Sequence, residues 1–158
     1  VRVAIVTVSD TVAAGKCDDL SGPAVRQRCL SLGWEVVKMA VLPDEVDVLR
    51  KELERLADSG KFDLVLTTGG TGVGPRDVTP DVTAEICHKM LPGVGEHMRA
   101  TGLRLTKRAI LSRATAGVRA AALIVNLPGS PVGAVESFDS VAALLPHASD
   151  VLKGARHD

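Results

Sequence analysis

Residues 67–81 read TTGGTGVGPRDVTPD, so that Gly69, Gly70, Gly72 and Gly74 fall within six positions and the pair Arg76-Asp77 stands just before a helix start. Glycines let backbone N–H groups close around phosphate oxygens with no Cβ in the way, and a helix N-terminus behind them adds partial positive charge. A tight turn that merely needs positive φ uses one or two glycines. Four of them, between a buried strand and a proline-started helix, favour a phosphate cradle. Asp77 at the exit puts a carboxylate beside those phosphates, which makes electrostatic sense with a divalent cation between them. Magnesium is usually held by one or two carboxylates plus substrate phosphates. Asp44, in the LPDE segment 42–45, is the best second acid, and it reads equally well as the N-cap of the helix that follows. Asp19 reads as a site acid or as a buttress of the turn into Ser21.

The familiar phosphate loops do not fit. Gly69 and Gly74 have P-loop spacing, but Pro75 and Arg76 replace the lysine and the metal-binding hydroxyl. A dinucleotide fingerprint starting at Gly70 needs a small residue where Pro75 stands, and the loop follows the third strand instead of the first. His88, His97, His147 and His157 show no metal-ligand spacing, and Ser130 lacks the G-x-S-x-G frame of a hydrolase nucleophile. These read as surface or capping residues. Ser112, Arg113 and Arg119 flank a turn before the last strand, readable as a solvated loop or as an anion clamp.

The elements that must position these residues alternate between strand and helix. Val1–Val8 is apolar on both faces, as in a covered parallel strand. A polar loop follows to residue 20. A helix capped by Ser21 then runs to about Gly33, and Trp34–Leu42 is the second strand. Val48, Leu49, Leu53 and Leu56 mark an amphipathic helix, and Phe62–Leu66 a third strand leading into the glycine loop. Thr79-Pro80-Asp81 supplies a capping hydroxyl, a proline at the first helical position and an early acid, and starts a helix toward Lys89; another spans 93–105, and Ala121–Leu127 is the last strand. The C-terminal segment is helical, with Pro146 bending or restarting it. This order predicts a three-layer α/β/α fold with a mostly parallel sheet, in one domain over residues 1–158. Ligands in such sheets bind beyond the carboxyl ends of the strands, where the loops at 9–23, 42–45, 68–77 and 126–131 gather.

Composition removes other classes. Nineteen basic residues balance nineteen acidic ones, so no long-range field draws in nucleic acid or an acidic membrane. Trp34, Phe62 and Phe138 are the only aromatics, too few to stack bases. No apolar run reaches the length of a membrane span. Cys17, Cys29 and Cys87 are odd in number and contain no C-x-x-C, which suits a reducing cytoplasm and argues against a disulfide framework or structural zinc. The chain opens on VRVAIVTV without an initiator Met, the expectation being a trimmed N-terminus or a domain of a longer protein.

TVSD at 7–10, DLSGP at 19–23, PDE at 43–45, TTGGTGVGPRDVTP at 67–80, LSR at 111–113, AGVR at 116–119 and NLPGSP at 126–131 appear in the order and spacing of the molybdopterin adenylyltransferases. The chain resembles that family, of the MogA, gephyrin G-domain and plant G-domain type, over nearly its whole length. The resemblance implies transfer of AMP from magnesium ATP to the terminal phosphate of molybdopterin, with release of pyrophosphate. It places Asp44 and Asp77 on Mg2+ and the nucleotide, and Gly69, Gly70, Thr71 and Gly72 on the phosphates. Ser9 and Asp19 would support the substrate loops. Ser112, Asn126, Pro128 and Gly129 would lie on the substrate side, the first two contacting the pterin or its phosphate. It also implies a homotrimer, with hand-over to a molybdenum insertase domain. One departure is Gly102, where the family commonly has serine, so that Ser112 would serve with backbone help. A non-catalytic pterin-binding module and an insertase-type activity are the alternative readings, the latter disfavoured by the RDVTP continuation.

Overall fold

In the computed structural model, which describes residues 1–155, one six-stranded sheet has the order β2-β1-β3-β6-β5-β4. Its strands are β1 (Arg2–Val8), β2 (Glu35–Leu42), β3 (Leu64–Thr68), β4 (Lys89–Met90), β5 (Ala116–Arg119) and β6 (Ala122–Leu127). The pairs β1–β2, β1–β3 and β3–β6 are parallel, while β5–β6 and β4–β5 are antiparallel. The helices are α1 (Asp10–Ala13), α2 (Ser21–Ser31), α3 (Val46–Asp58), α4 (Thr79–Ile86), α5 (Pro92–Gly102), α6 (Pro131–Val141) and α7 (Leu145–Leu152), with 3-10 turns at Lys107–Leu111 and Ala142–Leu144.

Period-two alternation sends successive strand residues to opposite faces. Val3, Ile5, Leu66, Leu123 and Val125 pack on one side against Val25 of α2, Met98 of α5, Phe138 of α6 and Leu145 of α7. Ala4, Val6, Val65 and Ile124 pack on the other against Leu49 and Leu53 of α3 and Val82 of α4. Both faces are covered, which is why the strands are apolar throughout, and the expected three-layer, mostly parallel architecture is the one observed.

The structure differs from the sequence reading at several element ends. Ala121–Leu127 is half of an antiparallel hairpin: Ala120, at φ 51, turns the chain between β5 and β6. The helix expected to reach Lys89 stops at Ile86, because residues 89 and 90 pair with β5. The polar loop after β1 contains α1, capped by the Ser9 hydroxyl, which accepts from Val12 N at 3.3 Å. Ser21 does not cap α2. Asp19 Oδ1 accepts from Gly22 N at 3.0 Å, while the Ser21 hydroxyl is buried 2.8 Å from Thr68 Oγ1. Thr79 does not cap α4 either; Val78 is the N-cap, and Thr79 Oγ1 is buried without a hydrogen-bond partner among the described residues. In α3 the expected core residue Val48 is exposed and Ala57 is buried. The helix placed at 93–105 is α5, ending at Gly102. Pro146 restarts the C-terminal helix in the first turn of α7, and all three cysteines are free.

Candidate active site

Because β2, β1, β3 and β6 are consecutive and parallel, the loops leaving their C-terminal ends form one continuous rim. Main-chain bonds stitch it together: Ser9 N donates to Leu42 O at 2.9 Å and Gly69 N to Leu127 O at 3.0 Å. Gly69 and Gly70 have φ of 93° and 68°, where only glycine is at ease. A Cβ on Gly69 would run into Val8 O, one on Gly70 into Thr79 Oγ1, and one on Gly72 would stand 2.9 Å from Asp77 Oδ2. Gly129 approaches to 3.4 Å, measured from its Cβ position to the Gly69 Cα. The glycines therefore let two loops and a helix start meet, and the amides of Gly69 and Gly74 are already used, by Leu127 O and by Asp77.

Asp44 and Asp77 enter this rim from opposite sides. Asp44 Oδ2 accepts from Asp10 N at 2.9 Å, and Asp44 Oδ1 lies 3.1 Å from the Cβ position of Gly70. Asp77 Oδ2 accepts from Gly74 N at 2.9 Å, so this amide serves the carboxylate. The N-cap position of α3 belongs to Glu45, which decides against Asp44 as a cap. Burial raises the pKa of the Asp44 carboxyl, the hydrogen bond from Asp10 opposes this, and the negative charges of Asp10 and Asp77 add to the rise. Asp10 itself is held below the usual range by the hydrogen bonds of Arg76.

Two cavities open on either side of the glycine loop. A polar one of about 420 Å³ is lined by Ser9, Asp19, Asp44, Gly69, Gly70 and Asp77, among others. Asp18 joins it, so four acidic residues and no basic one line this space. A second, mainly apolar cavity of about 470 Å³ is lined by Gly72, Val73, Met98, Leu105, Ala109 and Ser112, among others. Segments 69–73 and 128–131 contribute to both: Gly69, Gly70, Gly129 and Pro131 to the polar space, Gly72, Val73, Pro128 and Ser130 to the apolar one. Both volumes suit drug-sized ligands.

The sequence-derived residues divide accordingly. Ser9, Asp19, Asp44, Gly69, Gly70, Asp77 and Gly129 meet at the polar cavity; Gly72, Ser112 and Pro128 line the apolar one. Asp19 also buttresses its turn, accepting from Thr7 Oγ1 at 2.8 Å. Asn126 lines neither cavity. It is fully buried, and its amide donates to Thr67 Oγ1 at 3.1 Å and Thr83 Oγ1 at 2.9 Å beneath the loop. Thr71 is buried as well, its carbonyl accepting from Arg113 N at 2.8 Å. A Cβ on Gly102 would lie 2.9 Å from the Ala109 Cβ, so glycine at this position lets the 3-10 turn close onto α5. Ser130 caps α6, accepting from Gly133 N at 2.9 Å. Among the described residues no cluster of three or more His, Cys, Asp and Glu could hold a metal ion, and His157 lies outside them.

Spacing did not disclose the partners of the charged residues around the loop. Asp10 and Arg76 pair on the rim at 3.0 Å. Arg113 is neither a solvated loop residue nor an anion clamp: Nε donates to Gly72 O at 2.7 Å and Nη2 to Asp77 O at 2.6 Å, bracing the loop from behind. Arg119 pairs with Asp58 and Ile86 O, away from the rim. The available signal was position alone, charged residues at the carboxyl ends of strands, and it does not identify partners.

A family profile described as "Probable molybdopterin binding domain" matches residues 4–147. A molybdopterin adenylyltransferase of Helicobacter pylori is 39% identical over 161 residues, covering 98% of this chain and 89% of that protein. One from Escherichia coli is 38% identical over 143 residues, covering 89% and 73%. The molybdopterin biosynthesis enzyme MoaB of Thermus thermophilus superposes with a TM-score of 0.91 at 44% identity, over 99% of both chains.

Proposed function

The chain belongs to the molybdopterin-binding domain family, and from that premise we propose that it is a molybdopterin adenylyltransferase, joining AMP from ATP to the terminal phosphate of molybdopterin. One observation carries this reading: a cavity lined by acidic residues and an apolar cavity are both built on the glycine loop, the first on Gly69 and Gly70 and the second on Gly72 and Val73. The triphosphate belongs in the first and the pterin in the second. The acceptor phosphate then reaches the α-phosphorus where Gly70 gives way to Gly72.

The polar cavity fits a divalent cation. With four acidic residues and no basic one along its lining, it takes a triphosphate only if positive charge arrives with it. Asp44 and Asp77 would hold Mg2+, which when bound supplies the charge neutralisation that lets two anionic substrates approach. The protein supplies the rest through position. Gly69, Gly70 and Gly72 shape a backbone surface that a Cβ would fill, and Gly74 N fixes the orientation of Asp77. An oxygen of the molybdopterin phosphate forms a bond to the α-phosphorus, and the bond from that phosphorus to the bridging oxygen breaks as pyrophosphate leaves. No enzyme nucleophile and no proton transfer to the protein are required; orientation and electrostatics provide the acceleration. Asn126 and Thr71 act from below, holding the floor of the loop.

The family likeness also supports a homotrimer that passes its product to an insertase domain, with residues 1–158 as one unit, and the free cysteines support a reducing cytoplasm. Leu103 and Ile110, which lie outside the apolar cavity, are exposed on either side of it and give self-association an apolar surface. The test of function is pyrophosphate release from magnesium ATP with and without molybdopterin. Release that needs molybdopterin and vanishes in Asp77→Asn is expected. Tight pterin binding without nucleotide binding would instead support a scaffold, and AMP release on adding molybdate an insertase.

A further inference from the structure

We propose that Asp10 is a positioning residue for the Asp44 carboxylate and that Arg76 acts through it to fix the metal-nucleotide cavity. This role presupposes that the polar cavity takes a metal-nucleotide complex, as argued above.

Asp10 and Asp44 exchange two hydrogen bonds across adjoining loops. Asp10 N donates to Asp44 Oδ2, and Asp44 N donates to Asp10 Oδ1, each at 2.9 Å. One oxygen of Asp44 is thereby engaged, and the other, Oδ1, is left on the glycine-loop side, 3.1 Å from the Gly70 Cβ position. Arg76, beyond the glycines, closes a fork on Asp10: Nε donates to Oδ2 and Nη2 to Oδ1, both at 3.0 Å. A single carboxylate so connects the loops that follow β1, β2 and β3.

Stability does not account for the arrangement. The side chains of Arg76 and Asp10 are 59% and 41% exposed, and exposed ion pairs add little to folding. Orientation does account for it. Asp44 is half-buried beside two like charges, Asp10 and Asp77, which favour turning it out toward water. The main-chain N–H of Asp10 opposes that turn, the Asp10 carboxylate keeps this N–H in place by accepting from Asp44 N and Arg76, and the guanidinium offsets the negative charge of Asp10.

Positioning and simple electrostatics predict opposite results for Arg76. Removing a cation beside a metal site should tighten metal binding if charge alone matters, and should weaken it if Arg76 holds Asp10 in place. The experiment titrates Mn2+ into the full chain with α,β-methylene-ATP, reading free Mn2+ by electron paramagnetic resonance. Asp10→Ala and Arg76→Ala are each expected to weaken Mn2+ binding on the order of tenfold. The double variant should lose no more than either single one, because both act through one contact. Melting temperature and the KM for molybdopterin should stay near wild type. Arg76→Ala binding Mn2+ as tightly as wild type or tighter, a double variant with multiplied losses, or an equal loss at the pterin cavity would each overturn the role. A wild-type chain that binds no Mn2+ with the analogue would overturn the functional reading itself.

Discussion

Arg113 Nε donates to the Gly72 carbonyl at 2.7 Å, and the same guanidinium holds Asp77 O at 2.6 Å and the Asp81 carboxylate at 2.9 and 3.0 Å. Its backbone N–H adds a bond to Thr71 O. One side chain therefore ties both ends of the glycine loop to the first turn of α4, and the hydrogen bonds to Asp81 raise the pKa of the guanidinium further.

Arg113→Ala leaves two loop carbonyls without their charged donor, and the expected loss is about 2 kcal/mol of stability in urea unfolding. Because the loop carries Asp77, turnover should fall by on the order of a hundredfold. Arg113→Lys should recover little of this, since an ammonium cannot fork between backbone and carboxylate.

Gly70→Ala and Gly93→Ala make an internal contrast. At Gly70, φ is 68° and the new methyl would overlap Thr79 Oγ1, so a destabilisation of at least about 2 kcal/mol and loss of nucleotide binding are expected. Gly93 lies in the first turn of α5 with nothing within 4 Å of its Cβ position, and alanine there should be neutral or stabilise by about 0.5 kcal/mol. Denaturant midpoints of both variants and isothermal nucleotide titration check the pair.

Asp63 provides the pH dependence. Burial raises its carboxyl pKa, but hydrogen bonds from Arg2 and from the Lys153 ammonium, at 2.6 Å, outweigh it and leave the group well below the usual carboxylate range. The folded pKa is thus lower than the unfolded value of about 3.9, and the unfolded chain binds more protons in between. The stabilisation is complete at neutral pH and fades as pH falls below about 4. Asp63→Asn should lower the urea midpoint at pH 7, with the gap to wild type narrowing steadily in acid. A gap that stays constant down to about pH 2 would contradict the assignment.

The resemblance carried in GGTG, RDVTP, PDE and NLPG named the paired acids Asp44 and Asp77, and strand-helix alternation gave the architecture. Element ends were less legible. Ala116–Arg119 carried no strand signal of its own because small apolar residues show no sign of a reversal, and Ala120 turns the chain at φ 51 without the glycine that would have announced it. Ser21 and Thr79 were expected as caps, since a hydroxyl before a helix usually is one; both are drawn inward beneath the loops instead.

What the sequence determined by itself is local: which segments are apolar on both faces, where a backbone must bend or be bare, and which acids follow a strand. Tertiary structure alone decided which charge meets which. Asp10 and Arg76 are 66 residues apart and Gly72 and Arg113 are 41 apart. Asn126 is enclosed by two threonines from other elements. Those contacts depend on the order in which parallel strands lie side by side. Hydrophobic pattern says that a strand is buried, yet it does not say beside which neighbour, and the loops that build a site inherit their partners from that choice.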